Sequence, residues 1–300
     1  MALIELKTHD RYPYSPIPER PDFSWPDGKR LAVCVCNNIE VFSFLSGLGS
    51  DSASLTAPQT TRNYAWRDYG NRVGQWYLFD LLDEYGLPAS HNFNSLLFDA
   101  CPQIADRIIA RGDEFVGHGR TNAERQDVLD EAGERALIAE STRAIADYSG
   151  TPPQGWLGPY LAQTPATLDL LKEAGYRYVL DWPADDQPFW MRTRSGPLLS
   201  VPYSIELNDS PSMVFRQESA MSFERMIVDQ FDEMLLQSRK HSLVFTVVLH
   251  PFVIGIPFRL RALRRALAHI MGHRQDIWVA TPGQVAEHYA QVMPPPQDGA

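Results

Sequence analysis

The chain is poor in cysteine, short of basic charge and without a long apolar run. Its three cysteines, Cys34, Cys36 and Cys101, make no disulfide framework. Cys34 and Cys36, two apart, leave one face of a strand in a geometry that does not suit a bridge. With no secretory signal in MALIELKTHDRYPYSPIPERPDFSWPDGKR, the thiols read as reduced and buried in a cytoplasmic protein. No window approaches the ~20 apolar residues that cross a bilayer. Lys and Arg number 27 against 37 Asp and Glu, a formal charge of −10, which disfavours nucleic acid or an anionic membrane as partner. The densest basic stretch, Arg259–Arg265, reads as a solvated helix face. Neither short repeats nor low-complexity segments occur. What remains is an ordinary globular composition, 44% hydrophobic and 21% charged over 300 residues, enough for one large core. The expected organisation is a single domain, 1–300, with 1–30 as an extended N-terminal arm.

Short apolar runs alternate with longer amphipathic ones. Strands are expected at 31–36 (LAVCVC), 88–94, 114–117, 154–161, 177–182, 198–203, 243–250 and 277–280. Helices are expected at 72–85, 102–110, 128–149, 165–174, 223–238, 260–271 and near the C-terminus to about 291. Several close on a glycine (Gly86, Gly112, Gly150, Gly175), as C-caps do. Strand–helix alternation implies a parallel sheet or a (β/α) barrel, and seven or eight strands favour the barrel. In barrels the chemistry sits where strands end. Those ends carry Asn37-Asn38-Ile39-Glu40, His118, Asp181, Asp209 and His250.

Six stretches bear on chemistry. In HGRTN, His118 and Asn122 stand at i and i+4 and on one helical turn would address one point; equally, each caps an element. In NNIE, Asn38 and Glu40 face one side of an extended chain, and Glu40, beside an apolar strand, needs a partner. NYAWRDYGNRVG brackets Asp68 with Arg67 and Arg72 among aromatics, either a clamp for a polar substrate or a helix cap. LDWPADDQPFW gathers Asp181, Asp185 and Asp186 around prolines and Trp182. ELND follows a strand end and closes on Asp209. VVLHPF leaves His250 at the last position of an apolar strand, where a general acid is as natural as a core histidine.

Taken in order, these stretches resemble the polysaccharide deacetylase superfamily (NodB-like, carbohydrate esterase family 4), from about Asp22 to Tyr289. They are most similar to its intracellular branch of metal-independent allantoinases and peptidoglycan-deacetylase-like enzymes. The resemblance implies a distorted seven-stranded (β/α) barrel of the NodB-homology type and a homo-oligomer, dimer or tetramer. It matches Asn38-Ile39-Glu40, His118…Asn122, Gly155-Trp156-Leu157-Gly158-Pro159 and Leu249-His250 to the family's motifs. The departures are informative. Asn38 stands in place of a catalytic Asp, and an amide is no base. Leu157 stands in place of the Arg that would orient that Asp, and Asn122 in place of a second histidine ligand.

The expected activity is hydrolysis of a non-peptide C–N bond in a small, cyclic amide such as a ureide, imide or lactam. The alternatives are N-deacetylation of an amino sugar or glycan, and a barrel that binds without catalysis. Glu40 and His250 are the candidate base and acid, with the Glu40 pKa raised by burial. Asn38, Arg67, Arg72, Trp156, Trp182, Asp185 and Asp209 are the candidate substrate-binding set. A divalent metal such as zinc, if bound, would take Glu40, His118 and Asn122; otherwise no cofactor is expected. The partner is a small-molecule amide.

Overall fold

The computed structural model describes residues 4–49 and 59–296. Its strands are β1 (Leu31–Ile39), β2 (Ser90–Phe93), β3 (Glu114–Gly117), β4 (Gly155–Trp156), β5 (Tyr178–Val179), β6 (Phe189–Met191), β7 (Leu198–Ser200), β8 (Leu243–Leu249) and β9 (Ile277–Val279). All pair in parallel except β6, which runs antiparallel to β7. The order along the sheet is β6-β7-β5-β4-β3-β2-β1-β8, with β9 also on β1. Seven parallel strands, β7-β5-β4-β3-β2-β1-β8, therefore form the curled wall of the expected distorted (β/α) barrel, and β9 adds an eighth on β1. β1 and β8 are buried at every position, which explains their unbroken apolar sequences: helices cover one face and the barrel interior the other.

The wall does not close by a regular ladder. Val248 N–H donates to the Leu207 carbonyl at 2.9 Å, and Asn208 bridges to Val248. Thr246 Oγ1 donates to the Pro202 carbonyl at 3.0 Å. This irregular seam brings the segment after β7 beside the end of β8, and so Asp209 beside His250. The N-terminal arm is fastened at three points. Arg11 grips Asp169, Arg20 pairs with Asp185, and the buried Trp25 donates from Nε1 to the Leu243 carbonyl.

The helix expected from Arg72 begins earlier, at Thr61, because Thr60 caps it by accepting from Asn63 N–H at 3.1 Å. It runs through one wide π turn at Gly70–Gly74 and continues as Gln75–Tyr85, ending on Gly86 in the left-handed region. A Cβ on Gly70 would sit 2.7 Å from Phe252 N, and one on Gly74 2.2 Å from the Pro251 carbonyl oxygen. Only glycine lets the helix lie this close to the chain that follows β8. Cys34 and Cys36 fill the interior, Cys101 is half-buried, and none is paired; burial pushes the Cys36 thiol up to about 12. Among the described residues no helix is long and apolar enough to cross a membrane.

Candidate active site

A cavity of about 260 Å³ opens at the C-terminal ends of the strands, where Asn38, Glu40, Arg67, His118, Asn122 and His250 meet. Its apolar walls come from Phe42, Leu157, Val214, Phe215 and Phe252, with Tyr160 and Tyr203 between them. Larger hollows lie elsewhere, including one of about 670 Å³ along the seam beside Asp185. The smaller cavity is the one in which a carboxylate and two histidines converge, and convergence rather than volume marks chemistry.

Glu40 lies just past β1 with its side chain 8% exposed. Its Oε1 accepts from Asn122 Nδ2 at 2.6 Å and lies 3.7 Å from His118 Nε2 and 3.6 Å from His250 Nε2. Both histidine distances exceed a direct hydrogen bond and suit a bridging water or substrate atom. The expected rise in the Glu40 pKa does not occur. Burial pushes it up, but His118, the charge of His250 and that of Arg67 outweigh burial and hold it below the usual carboxylate range.

His250 is oriented by Asp209. Its Nδ1 lies 2.7 Å from Asp209 Oδ1, and its backbone N–H donates to Oδ2 at 2.8 Å. The carboxylate acceptor places a ring proton on Nδ1 and aims Nε2 at Glu40. Burial alone would lower the His250 pKa; Asp209, by charge and hydrogen bond, and Glu40, by charge, raise it above the usual value. Asp209, expected to bind substrate, is fully buried behind the histidine, so it acts as a positioning residue.

His118 and Asn122 do not share a helical turn. The segment is a loop that turns at Gly119, with φ of 60°. His118 Nδ1 faces the Leu157 carbonyl at 2.6 Å, which leaves Nε2 buried, without a hydrogen-bond partner and directed to the cavity. Asn122 is fixed by a neighbour that carried no sequence signal, Asn94. Asn94 Oδ1 accepts from Val41 N–H at 3.0 Å, which identifies its other end as the NH₂. That NH₂ donates to Asn122 Oδ1 at 3.0 Å, and Asn122 therefore presents its own NH₂ to Glu40.

This orientation decides the fit of a metal. An asparagine ligates through its carbonyl oxygen, and that oxygen is turned away and occupied. The expected set of Glu40, His118 and Asn122 thus supplies two ligating atoms in place of three, fewer than zinc sites use. As arranged, the residues do not fit the metal, and the chemistry below runs through the side chains alone.

The remaining expectations divide. Arg67 is half-buried at the cavity, its guanidinium carbon 4.0 Å from the centre of the Phe42 ring and 5.3 Å from that of Phe252. Asn38 lines the cavity, but its amide is committed: Nδ2 donates to Tyr203 Oη and the Leu249 carbonyl, and Oδ1 accepts from Asn92. It shapes the wall and offers no free group. Arg72 does not join Arg67. Its side chain is 75% exposed and lies near Asp68 on its own helix. Trp156 is wholly buried between strand and helices, edge-on to Tyr176. Trp182 packs against Tyr12 of the arm and donates to Gln163. Asp185 is held by Arg20. These four are outside the cavity lining. Two tyrosines are among the cavity residues that escaped sequence reasoning. Tyr203 holds Asn38, and Tyr160 donates to the Asn122 carbonyl. A hint for Tyr160 existed in its neighbours Gly158-Pro159, which force a tight turn; Tyr160 itself adopts φ of 62°.

The comparisons agree with this architecture. The family model for polysaccharide deacetylase matches residues 66–179. A peptidoglycan deacetylase of Helicobacter pylori is 22% identical over 294 residues, covering 87% of this chain and 98% of that protein. The crystal structure of Puue allantoinase superposes with a TM-score of 0.81 at 25% identity, covering 94% of this chain and 95% of that one. A probable polysaccharide deacetylase from Pseudomonas aeruginosa PAO1 gives the same TM-score and identity, covering 94% and 96%. The chain is similar to polysaccharide deacetylases over residues 66–179 and in its fold. Its general class is that of hydrolases acting on carbon–nitrogen bonds other than peptide bonds.

Proposed function

We propose that the chain hydrolyses the acetamido C–N bond of an N-acetylated amino sugar, releasing acetate and a free amine. The observation that carries this reading is the Glu40 carboxylate set between His118 Nε2 and the Asp209-oriented His250 Nε2, at 3.7 and 3.6 Å. Glu40, ionised at neutral pH, takes a proton from water as the oxygen bonds to the acetamido carbonyl carbon. His250, protonated, gives its Nε2 proton to the nitrogen as the C–N bond breaks. Arg67 supplies positive charge beside the developing oxyanion. The cavity volume admits one sugar-sized group, so a longer glycan would present its terminal residue.

The comparisons favour this reading over the small cyclic amide expected from the residues. That second reading rests on one observation. The pocket is compact and walled by Phe42, Phe215 and Phe252, which suits a flat ring, and a like fold carries an allantoinase. Acetate release from N-acetylglucosamine and its short oligomers, measured beside ring opening of ureides, imides and lactams, separates the two. Glu40→Gln and His250→Asn should each lower turnover of the true substrate by at least ~10². Acetate release undiminished in Glu40→Gln would refute the mechanism. Tight binding of a cyclic amide with no turnover of either class would favour a binding barrel.

A further inference from the structure

On the outer surface of the barrel, away from the cavity, Asp232, His269 and His273 place ligand atoms within 4.8 Å of one another. We propose that these three side chains form a surface site for a divalent transition metal, zinc first among them, that ties two packed helices together. Asp232 comes from the helix Ala220–Gln237, and His269 from the helix Pro257–Gly272, which His273 caps at its C-terminal end. The histidines are four apart, so both rings leave one face of the second helix. Asp232 meets them from the neighbouring helix, with Oδ1 already 2.7 Å from His269 Nε2.

Three features make this more than a chance cluster. The first is support from below. The buried Phe231 ring packs against both imidazoles, with centroids 5.9 Å from His269 and 5.6 Å from His273. The rings are thereby held with little rotamer freedom to lose on binding. The second is the contraction required. A point equidistant from three atoms no more than 4.8 Å apart lies at most about 2.8 Å from each, so side-chain movements of up to about 0.7 Å reach zinc–ligand distances. The third is a second carboxylate beside the cluster. Asp276 Oδ2 lies 3.6 Å from His273 Nδ1, placed to orient that ring and leave Nε2 for the ion. Two imidazoles and a carboxylate select zinc, nickel or copper over magnesium and calcium, which favour all-oxygen sets. With ligands drawn from two packed helices, the site would be structural. It would clamp the helix Ala220–Gln237 to Pro257–Gly272, and both of these lie outside β8, the strand that ends in His250.

The test is metal binding by the full chain after removal of adventitious ions. Zinc is titrated against a chromophoric chelator, and cobalt is followed by its visible d–d bands. Wild type should bind one equivalent, and its thermal midpoint should rise by about 4–8 °C at a hundredfold excess of zinc over Kd. His269→Ala and His273→Ala should each lose that equivalent and the rise, whereas His118→Ala should keep both. Asp232→Asn, which preserves shape, should weaken binding at least tenfold and guards against a misfolded histidine variant. Absence of binding by wild type, or an equivalent that survives in His269→Ala and His273→Ala, would overturn the proposal. Loss of the equivalent in His118→Ala alone would move the metal to the cavity and also overturn it.

Discussion

Asp209→Asn isolates the role of the pair behind the cavity. Asp209 serves two donors of His250, the backbone N–H at 2.8 Å and Nδ1–H at 2.7 Å. An amide has one oxygen. If that oxygen takes the backbone N–H, the NH₂ faces Nδ1, and the ring is left neutral with its proton on Nε2, a far weaker acid. If it takes Nδ1–H, a buried backbone donor meets an NH₂ and goes unsatisfied, at a cost of ~1–3 kcal/mol in stability. In either case the charge that raises the His250 pKa is gone. A general acid contributes ~10²–10⁴ in rate, or ~2.7–5.5 kcal/mol of barrier, and the variant should lose a comparable factor in kcat. The pH profile makes the test specific. In wild type the rate falls as pH drops and Glu40 protonates, with a midpoint below the usual carboxylate range. It falls again as pH rises through the elevated His250 pKa and the acid is lost. In Asp209→Asn the alkaline limb should move to lower pH. A kcat within threefold of wild type, an unmoved alkaline limb and an unchanged melting midpoint would refute His250 as a protonated acid held by Asp209.

Asn122→Ala removes the 2.6 Å donor to Glu40; the acidic limb of the profile should shift to higher pH, with a stability loss of ~1–3 kcal/mol in chemical denaturation. Asp181, buried with Gly158 N–H on one oxygen and no partner on the other, has its pKa pushed up to about 8 by burial. Folding therefore favours its protonated form, and its stabilisation is full below the ordinary carboxylate pKa and lost as pH rises through about 8. Asp181→Asn should accordingly melt higher than wild type at pH 9 and not at pH 4. Arg72→Ala, with an exposed side chain near Asp68, should leave KM unchanged and stability within ~0.5 kcal/mol, whereas Arg67→Ala should raise KM or lower kcat at least tenfold.

Strand ends were legible in the sequence because a polar side chain closing an apolar run is costly to bury unless it has a partner or a task. Glu40, His118 and His250 were found that way, and they do converge. Orientation was far less accessible. Arg67 and Arg72 are five positions apart, which on a helix separates their directions widely; one reaches the cavity and the other water. Neighbours in an extended chain point to opposite sides, so Leu157 lines the cavity while Trp156 enters the layer between strand and helices. Asp185 and Trp182 were assigned to substrate because their partners, Arg20 and Tyr12, lie on the N-terminal arm more than 160 residues away. No local pattern announces a contact of that range. The role of Asn122 depended on which end of an amide faces Glu40, and Asn94 and the Val41 N–H settle that only in three dimensions.

The close seating of Gly70 and Gly74 against Phe252 and Pro251 fixes one side of the cavity. Arg67 rides on the seated helix and His250 immediately precedes the chain it rests on, so the cation and the acid form one rigid jaw. The opposite side carries Tyr160, on the short turn Pro159–Leu161, and Phe215, at the end of the helical turn Ser210–Phe215. Changes of substrate range can therefore accumulate at these two rim positions, whereas a side chain at either glycine would part the jaw and dismantle acid and anion recognition together.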